Sequence, residues 1–486
     1  MTAPVASQNS HTENLAPLDI NWVRAQFPSL RQTVNGHSAA FLDAPAGTQV
    51  PQRVIDAFRD YFEQSNANTC GAFATSRRTD AMIAAARAAM ADFFHCDADE
   101  VFFGPNMTTL TFALARGVGR DLAPGDEIVV TTLDHDANVA PWRALEERGI
   151  VIRQVDIREP ECTLDMDDLR RKITSRTKLV AVGYASNAVG TINPVAEIIR
   201  LAHAAGALAF IDAVHYAPHG SIDVRALDCD FLACSPYKFF GPHMGCLFGK
   251  REQLLRFRPY KVRPAPEMLP DRWETGTQLH EGLAGVIAAI DYLADLGRHL
   301  APESSKDRRA ALECAYRAVL QPADMQCKGT AFYPEQGRRA AVPYSAANSG
   351  VSTPEVPQSS NTRRAALESA YRAMRQHEMT LATRLICGLL EVPGLRFYGI
   401  SDPARFAERV GTVGVRLGNL TPLECAKFLG DRGIFTWDGN YYALNLTERL
   451  GVEKTGGLLR IGVVHYNIAG EVDRLLAALR DLAASR

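Results

Sequence analysis

The sequence predicts an α/β fold: a mainly parallel central sheet flanked by helices, followed by a smaller α+β C-terminal domain. Three observations predict it. Between about residues 99 and 250, short β-rich runs alternate with helical patterns, as a sheet with crossover helices requires. The segments between those runs carry apolar residues at three- and four-residue spacing, the signature of helices with one buried face. Beyond residue 363 the alternation stops, and a long helical pattern is followed by a few strands and a closing helix.

The expected strands are 127–132 (EIVVTT), 151–156 (VIRQVD), 179–184 (LVAVGY), 207–212 (ALAFID), 230–235 (DFLACS) and 246–249 (CLFG). Helices are expected at 138–148, 166–173 and 194–205, the last started by Pro194. The C-terminal part reads as a helix near 363–390, strands near 394–398, 412–417 and 458–466, and a helix at 471–484. The predicted organisation is an N-terminal segment 1–40, a large domain 41–303, an insert 304–362 and a small domain 363–486. Within it, SSKDRRAALECAYRAV at 304–319 returns as SSNTRRAALESAYRAM at 359–374, with twelve of sixteen positions identical and an offset of 55. Residues 320–362 between the copies are rich in Pro, Gly, Ser, Ala and Gln, which predicts a poorly ordered surface excursion. Stacked repeat arrays need about three copies or more, so two do not make one.

Composition removes several function classes. A net charge of −2, with no block of like charges, offers no counter-surface to nucleic acid. No apolar stretch approaches the roughly 20 residues that span a bilayer, and the first twenty residues lack a leader pattern, so no membrane association is expected. Ten cysteines without a C-x-x-C pair argue against a disulfide framework and a zinc site. A cytoplasmic location is the expectation.

In such sheets ligands bind beyond the carboxyl ends of the strands. His135, Asn187, Asp212, His215, Ser235 and Lys238 all fall there. Pyridoxal phosphate (PLP) needs a lysine to hold its aldehyde as a Schiff base, an acid beside the pyridine nitrogen, donors for its phosphate and a flat group against its ring. Lys238, in SPYKFFGPHMG after a buried strand, fits the first need; alone it reads as a solvated surface lysine. Asp212 closes the strand ALAFI, where burial calls for a cation, although alone it reads as a turn cap. His215 is placed to reach the cofactor's phenolic oxygen and His135 to lie on the ring, while either alone reads as structural. Ser235 and Tyr237, with Asn106, Met107 and Thr108 at a helix start, are the candidate phosphate donors.

From about Phe41 onward, FLDAPAGTQVP, DHDANVAPW, ASNAVGTINP, DAVHYAPH, ALDCDFLACSPYKFFGP and ETGTQ follow one another. The chain in this respect resembles the class V aminotransferase family, especially its cysteine desulfurase-like branch. The resemblance implies PLP fold type I, with Lys238 as the Schiff-base residue, His135 stacked on the ring and Asp212 on the pyridine nitrogen. It implies that Asn187 bonds near the cofactor's oxygen and the substrate carboxylate. It also implies that Arg460, in LLRIGVVHYN, grips the α-carboxylate of a small amino-acid substrate, and that Gly276 and Thr277 reach the phosphate of a neighbouring subunit in a homodimer. Desulfurases place a persulfide-forming cysteine ahead of that arginine, whereas here Tyr442 stands about there, Trp437 replaces a frequent arginine, and Cys425 lies seventeen residues upstream. His215 and Tyr237 stand for the family's more common glutamine and histidine. Desulfuration, elimination, transamination and epimerisation all stay open as outcomes, with Tyr442 a candidate substrate contact.

Other classes can be read from the same residues. Ser235 to Lys238 fits S-x-x-K and Lys454 to Gly456 fits K-T-G, as in penicillin-recognising serine hydrolases, but a strand precedes Ser235 and Gly241-Pro242 follows. His215 and His219 are four apart, yet the intervening residues include a proline and no glutamate, so no metal is expected. A non-catalytic scaffold that keeps the fold is the remaining alternative.

Overall fold

The structure is a computed structural model that describes residues 17–300 and 360–485. The first copy of the duplicated segment and nearly all of the expected insert lie outside the described residues. The central sheet has seven strands: β1 (Val101–Gly104), β2 (Glu127–Thr131), β3 (Val151–Val155), β4 (Thr177–Gly183), β5 (Leu208–Asp212), β6 (Phe231–Cys234) and β7 (Gly245–Gly249). Their spatial order is β1-β7-β6-β5-β4-β2-β3, and only β7 runs against its neighbours. Alternation explains why the strands are apolar throughout. In β4, Leu179 and Ala181 enter one core while Val180 and Val182 enter the other, so both faces are covered.

The helices that matter for the site are α1 (Gln52–Gln64), α2 (Ala74–Phe94), α3 (Met107–Gly119), α4 (Val195–Ala204), α5 (His280–His299), α6 (Ser360–Leu390) and α7 (Ala469–Ala484). Helix α6 begins within the second copy of the duplicated segment. Its paired arginines anchor it: Arg363 bridges Asp92 at 2.9 Å and Asp291 at 3.3 Å. Arg364 donates to the carbonyls of Ile222 and Phe93 at 2.6 and 3.0 Å.

A four-stranded antiparallel sheet follows, of β8 (Leu395–Tyr398), β9 (Thr412–Leu417), β10 (Trp437–Gly439) and β11 (Leu458–Gly462), in the order β8-β9-β11-β10. One face packs on α6 and α7 through Val413, Val415, Leu385 and Leu475. The N-terminal segment also joins this part, since Ala40 and Phe41 pair in parallel with Ile434 and Phe435.

Two elements differ from the sequence reading. VFFG at 101–104 forms an edge strand that the sequence analysis does not name, because four residues followed by Pro105 carry no period. The expected helix at 138–148 is broken into a short α-turn, Ala140–Arg143, between 3₁₀ turns, because Pro141 cannot donate inside a helix and is tolerated only in its first turn. Pro194 caps α4 from one residue outside it.

Candidate active site

The chain leaves β2 toward β3 on one side and leaves β4 toward β5 on the other. Between β2 and β4 the order therefore reverses, and a crevice opens at their carboxyl ends. Into this crevice β2 delivers Asp134 and His135, β4 delivers Asn187, β5 delivers Asp212 and His215, and β6 delivers Ser235, Tyr237 and Lys238. These line one cavity together with Asn106, Met107 and Thr108. Close backbone approach shapes it: a Cβ on Gly183 would lie 2.6 Å from Asp134 Oδ1, and one on Gly245 would lie 2.3 Å from the carbonyl carbon of Asn106. Glycine is required at both places.

Lys238 is 8 % exposed, and its Nζ donates to the carbonyls of Pro45 and Ala46, the latter at 3.0 Å. Burial, and then the positive charge of Arg460, push this amine well below the ordinary lysine range. Desolvation thus favours the neutral, nucleophilic form. The carbonyls that hold it belong to the strap 43–48, which the sequence reading quoted as a motif without assigning it a task. The strap is fixed in turn, because Thr48 N and Oγ1 both donate to the Tyr237 carbonyl at 3.0 and 3.2 Å.

Asp212 is buried, with Oδ1 accepting from Val214 N at 2.9 Å. Burial lifts its pKa to about 6, against the pull of Lys238. Such a carboxyl is stabilised as an anion only by a cation brought to it. Asp134, which sequence reading passed over beside His135, is lifted to about 7 by burial; it accepts from Thr131 Oγ1 at 2.8 Å and from Gly183 N. Asp43, in the strap, is lifted to about 6 by burial despite Arg460 and Lys238 nearby.

Burial, with Lys238 and Arg460, depresses His135 to about 3, so the ring is neutral. Its Nδ1 accepts from Ala137 N at 3.0 Å, which leaves the ring proton on Nε2. His215 is also kept neutral, by burial first; its Nε2 meets Thr412 Oγ1 at 3.0 Å while Nδ1 is buried without a partner. Asn187 donates from Nδ2 to the Tyr441 carbonyl at 2.9 Å, and its Oδ1 is likewise unpartnered. Asn106 Oδ1 caps α3 through Thr109 N at 2.8 Å, so the N–H groups of Met107 and Thr108 remain outside the intrahelical ladder and face the cavity end.

Arg460 comes from β11 and is 4 % exposed; Nη1 donates to the Asn187 carbonyl at 3.0 Å and the guanidinium lies 4.0 Å over the Tyr441 ring. The segment 437–442 forms a lip beside the cavity: it touches the lining residues Asn187 and His135 but supplies none of the lining itself. Tyr441 and Tyr442 both have left-handed backbone, with φ of 56° and 60°, a conformation that costs roughly 1–2 kcal/mol per residue. Asn187 on the Tyr441 carbonyl and Asp136 N on the Tyr442 carbonyl, at 2.6 Å, hold it in place. The Tyr442 ring is 71 % exposed and sits 5.4 Å from that of His135. Among the described residues no cysteine lines the cavity, and Cys425 is buried in the helix Pro422–Gly430. Gly276 and Thr277 are exposed and lie outside the cavity lining.

The rival readings meet a different geometry. Ser235 precedes a single 3₁₀ turn rather than a long helix, and Thr455 of the K-T-G lines a separate groove. His219 turns from His215 to Glu378, at 2.7 Å.

The Aminotransferase class-V family pattern matches residues 40–344 and 353–475. The chain belongs to that family. Its relatives include a cysteine desulfurase of Dickeya dadantii (strain 3937), 31% identical over 95% of this chain and 96% of the relative. A probable cysteine desulfurase of Halalkalibacterium halodurans is 35% identical over 60% of this chain and 77% of its own. The fold matches that of a cysteine desulfurase from Thermococcus onnurineus NA1, with a TM-score of 0.75 at 23% identity, covering 97% of this chain and 99% of that one. It also matches a cysteine desulfurase from Escherichia coli, with a TM-score of 0.72 at 24% identity over 96% of this chain and 98% of that one. The fold is PLP fold type I and the chain is a PLP-dependent enzyme. The cavity fits the cofactor chemically: a buried amine, a buried acid awaiting a cation, two orphaned polar atoms and an open helix start are the groups PLP calls for. Among the described residues no helix is long and apolar enough to cross a membrane.

Proposed function

We propose that this chain is a cysteine desulfurase-like PLP enzyme that cleaves the C–S bond of a small thiol amino acid by elimination, without forming a persulfide on its own lip. The observation that carries the reading is the buried Lys238 amine, which shares one cavity with Asp212 and His135 and feels the charge of Arg460. Lys238 is the residue that would hold the cofactor aldehyde, and its amine, when free, would be the base for the substrate Cα proton. Asp212 would pair with the pyridine nitrogen, His215 Nδ1 and the second Nδ2 proton of Asn187 would meet the phenolic oxygen, and Met107, Thr108, Ser235 and Tyr237 would hold the phosphate. When bound, PLP supplies an electron sink that lets a bond at the substrate Cα break. Neutral His135, with its proton on Nε2, would lie against the cofactor ring. Arg460 grips the α-carboxylate, a two-pronged task suited to guanidinium.

A phenol cannot accept sulfur as a thiolate does, so sulfur leaves as sulfide past the exposed Tyr442. Cysteine plus water then gives sulfide, pyruvate and ammonia. Transamination and epimerisation are the competing outcomes from the same start. Gly276 and Thr277 on an exposed loop fit a role at the cofactor phosphate of a second copy, so a homodimer is part of the proposal. A cytoplasmic site of action is part of it too. The test is to incubate the enzyme with each common amino acid while assaying sulfide, keto acid and substrate stereochemistry. Sulfide with an equal amount of pyruvate supports the reading, and keto acid without sulfide, or racemised substrate, overturns it.

A further inference from the structure

The sheet face opposite α6 and α7 carries a polar feature that PLP chemistry does not use. Arg396 in β8 and Arg416 in β9 are directly paired in register, so their side chains project from the same face. Like charges in such cross-strand pairs are destabilising. Neither arginine makes an ion pair among the described residues. Arg416 uses only Nη1, on the Thr455 hydroxyl and carbonyl at 3.0 and 3.2 Å and on the Gly457 carbonyl at 2.8 Å, which leaves its Nη2 and Nε. Arg396 is exposed and lies over the ring of Tyr398 at 4.8 Å. Tyr398 is 2 % exposed, and its hydroxyl is buried without a hydrogen-bond partner. All three line a cavity of about 270 Å³ together with Val452 and Thr455.

We propose that this groove binds a small oxyanion of the phosphate class. Two guanidinium groups on adjacent strands present several parallel N–H donors to one tetrahedral anion, and the anion relieves the repulsion between them. The Tyr398 hydroxyl supplies a further donor. Of the Lys454-Thr455-Gly456 motif, Thr455 lines the groove, and the exposed Lys454 is its neighbour in the chain.

The test is a calorimetric titration of the PLP-loaded enzyme with inorganic phosphate and, in a second arm, with glycerol phosphate, which separates the free ion from a phosphate ester. Expected is saturable binding of at least one of the two, weakened about tenfold by Arg396→Gln, as loss of a charged hydrogen bond implies. Arg396 makes no hydrogen bond among the described residues, so this variant is expected to fold; Tyr398→Phe is a second probe and should also weaken binding. The visible spectrum of the loaded enzyme should not change on titration, because its own phosphate site is filled. Absence of saturable binding, an affinity unchanged in both variants, or a spectral shift that tracks phosphate would each overturn the proposal. So would binding of an acidic peptide but of neither phosphate.

Discussion

At the carboxyl ends of β2, β4, β5 and β6, most of the side chains that meet in the cavity are buried, with His135 and Tyr237 partly so, whereas the lip at 437–442 turns two rings, Trp437 and Tyr442, about half or more to solvent. The floor is built by strands whose own burial fixes where their ends point. The lip is held by two carbonyl contacts and a strained backbone. A floor of this kind determines which cofactor is bound and how the first proton moves. In the proposed function, a lip of this kind determines what happens to the substrate side chain.

The largest effect should come from the floor, with opposite signs in the two forms of the protein. In the cofactor-free chain Asp212 is lifted by burial to about 6 from an ordinary 3.8, so its charge is a liability that appears as pH rises. Asp212→Asn should therefore stabilise the cofactor-free protein by an amount that grows between about pH 4 and pH 6, levels at roughly 3 kcal/mol and vanishes in acid. Denaturant unfolding across that range measures it. The same variant should bind PLP roughly a hundredfold more weakly, since a charge-assisted bond to the pyridine nitrogen is lost. Equal destabilisation of both forms would remove the floor's special status.

Arg460→Gln tests the junction of floor and lip, because the side chain touches both Asn187 and Tyr441. Steady-state kinetics should show the apparent KM for the amino acid raised roughly tenfold, with cofactor affinity nearly unchanged. Tyr442→Ala removes only a tilted ring contact, worth about 1 kcal/mol. It should leave the cofactor spectrum intact and alter the ratio of sulfide to keto acid in a product assay. A changed spectrum with an unchanged ratio would move Tyr442 from the lip to the floor. Deleting 309–363, one repeat period, should have the smallest effect. The deletion joins Arg308 to Arg364 and rebuilds the paired arginines that dock α6 on Asp92 and Asp291. Its thermal midpoint should stay within a few degrees of the full chain, as calorimetry can show.

Most of the floor was legible because it depends on local order: apolar runs mark strands, and Lys238, Asp212 and His135 follow them directly. Asp134 was hidden by its neighbour His135, although the same rule reaches it. The strap 43–48 holds Lys238 from almost two hundred residues away, and no local pattern announces such a contact. Edge strand 101–104 escaped because four residues are too few to show a period, and Pro141 broke a helix whose apolar spacing looked intact. The Arg396 and Arg416 pair depends on the register of two strands, which is a tertiary property.

The central claim is that Lys238 carries the cofactor. Reduction of the PLP-loaded enzyme with borohydride, followed by proteolysis and mass spectrometry, tests it most directly. The account predicts a pyridoxyl group on Lys238 and none in Lys238→Ala. A pyridoxyl group on another lysine, or none in the unsubstituted enzyme, would contradict it.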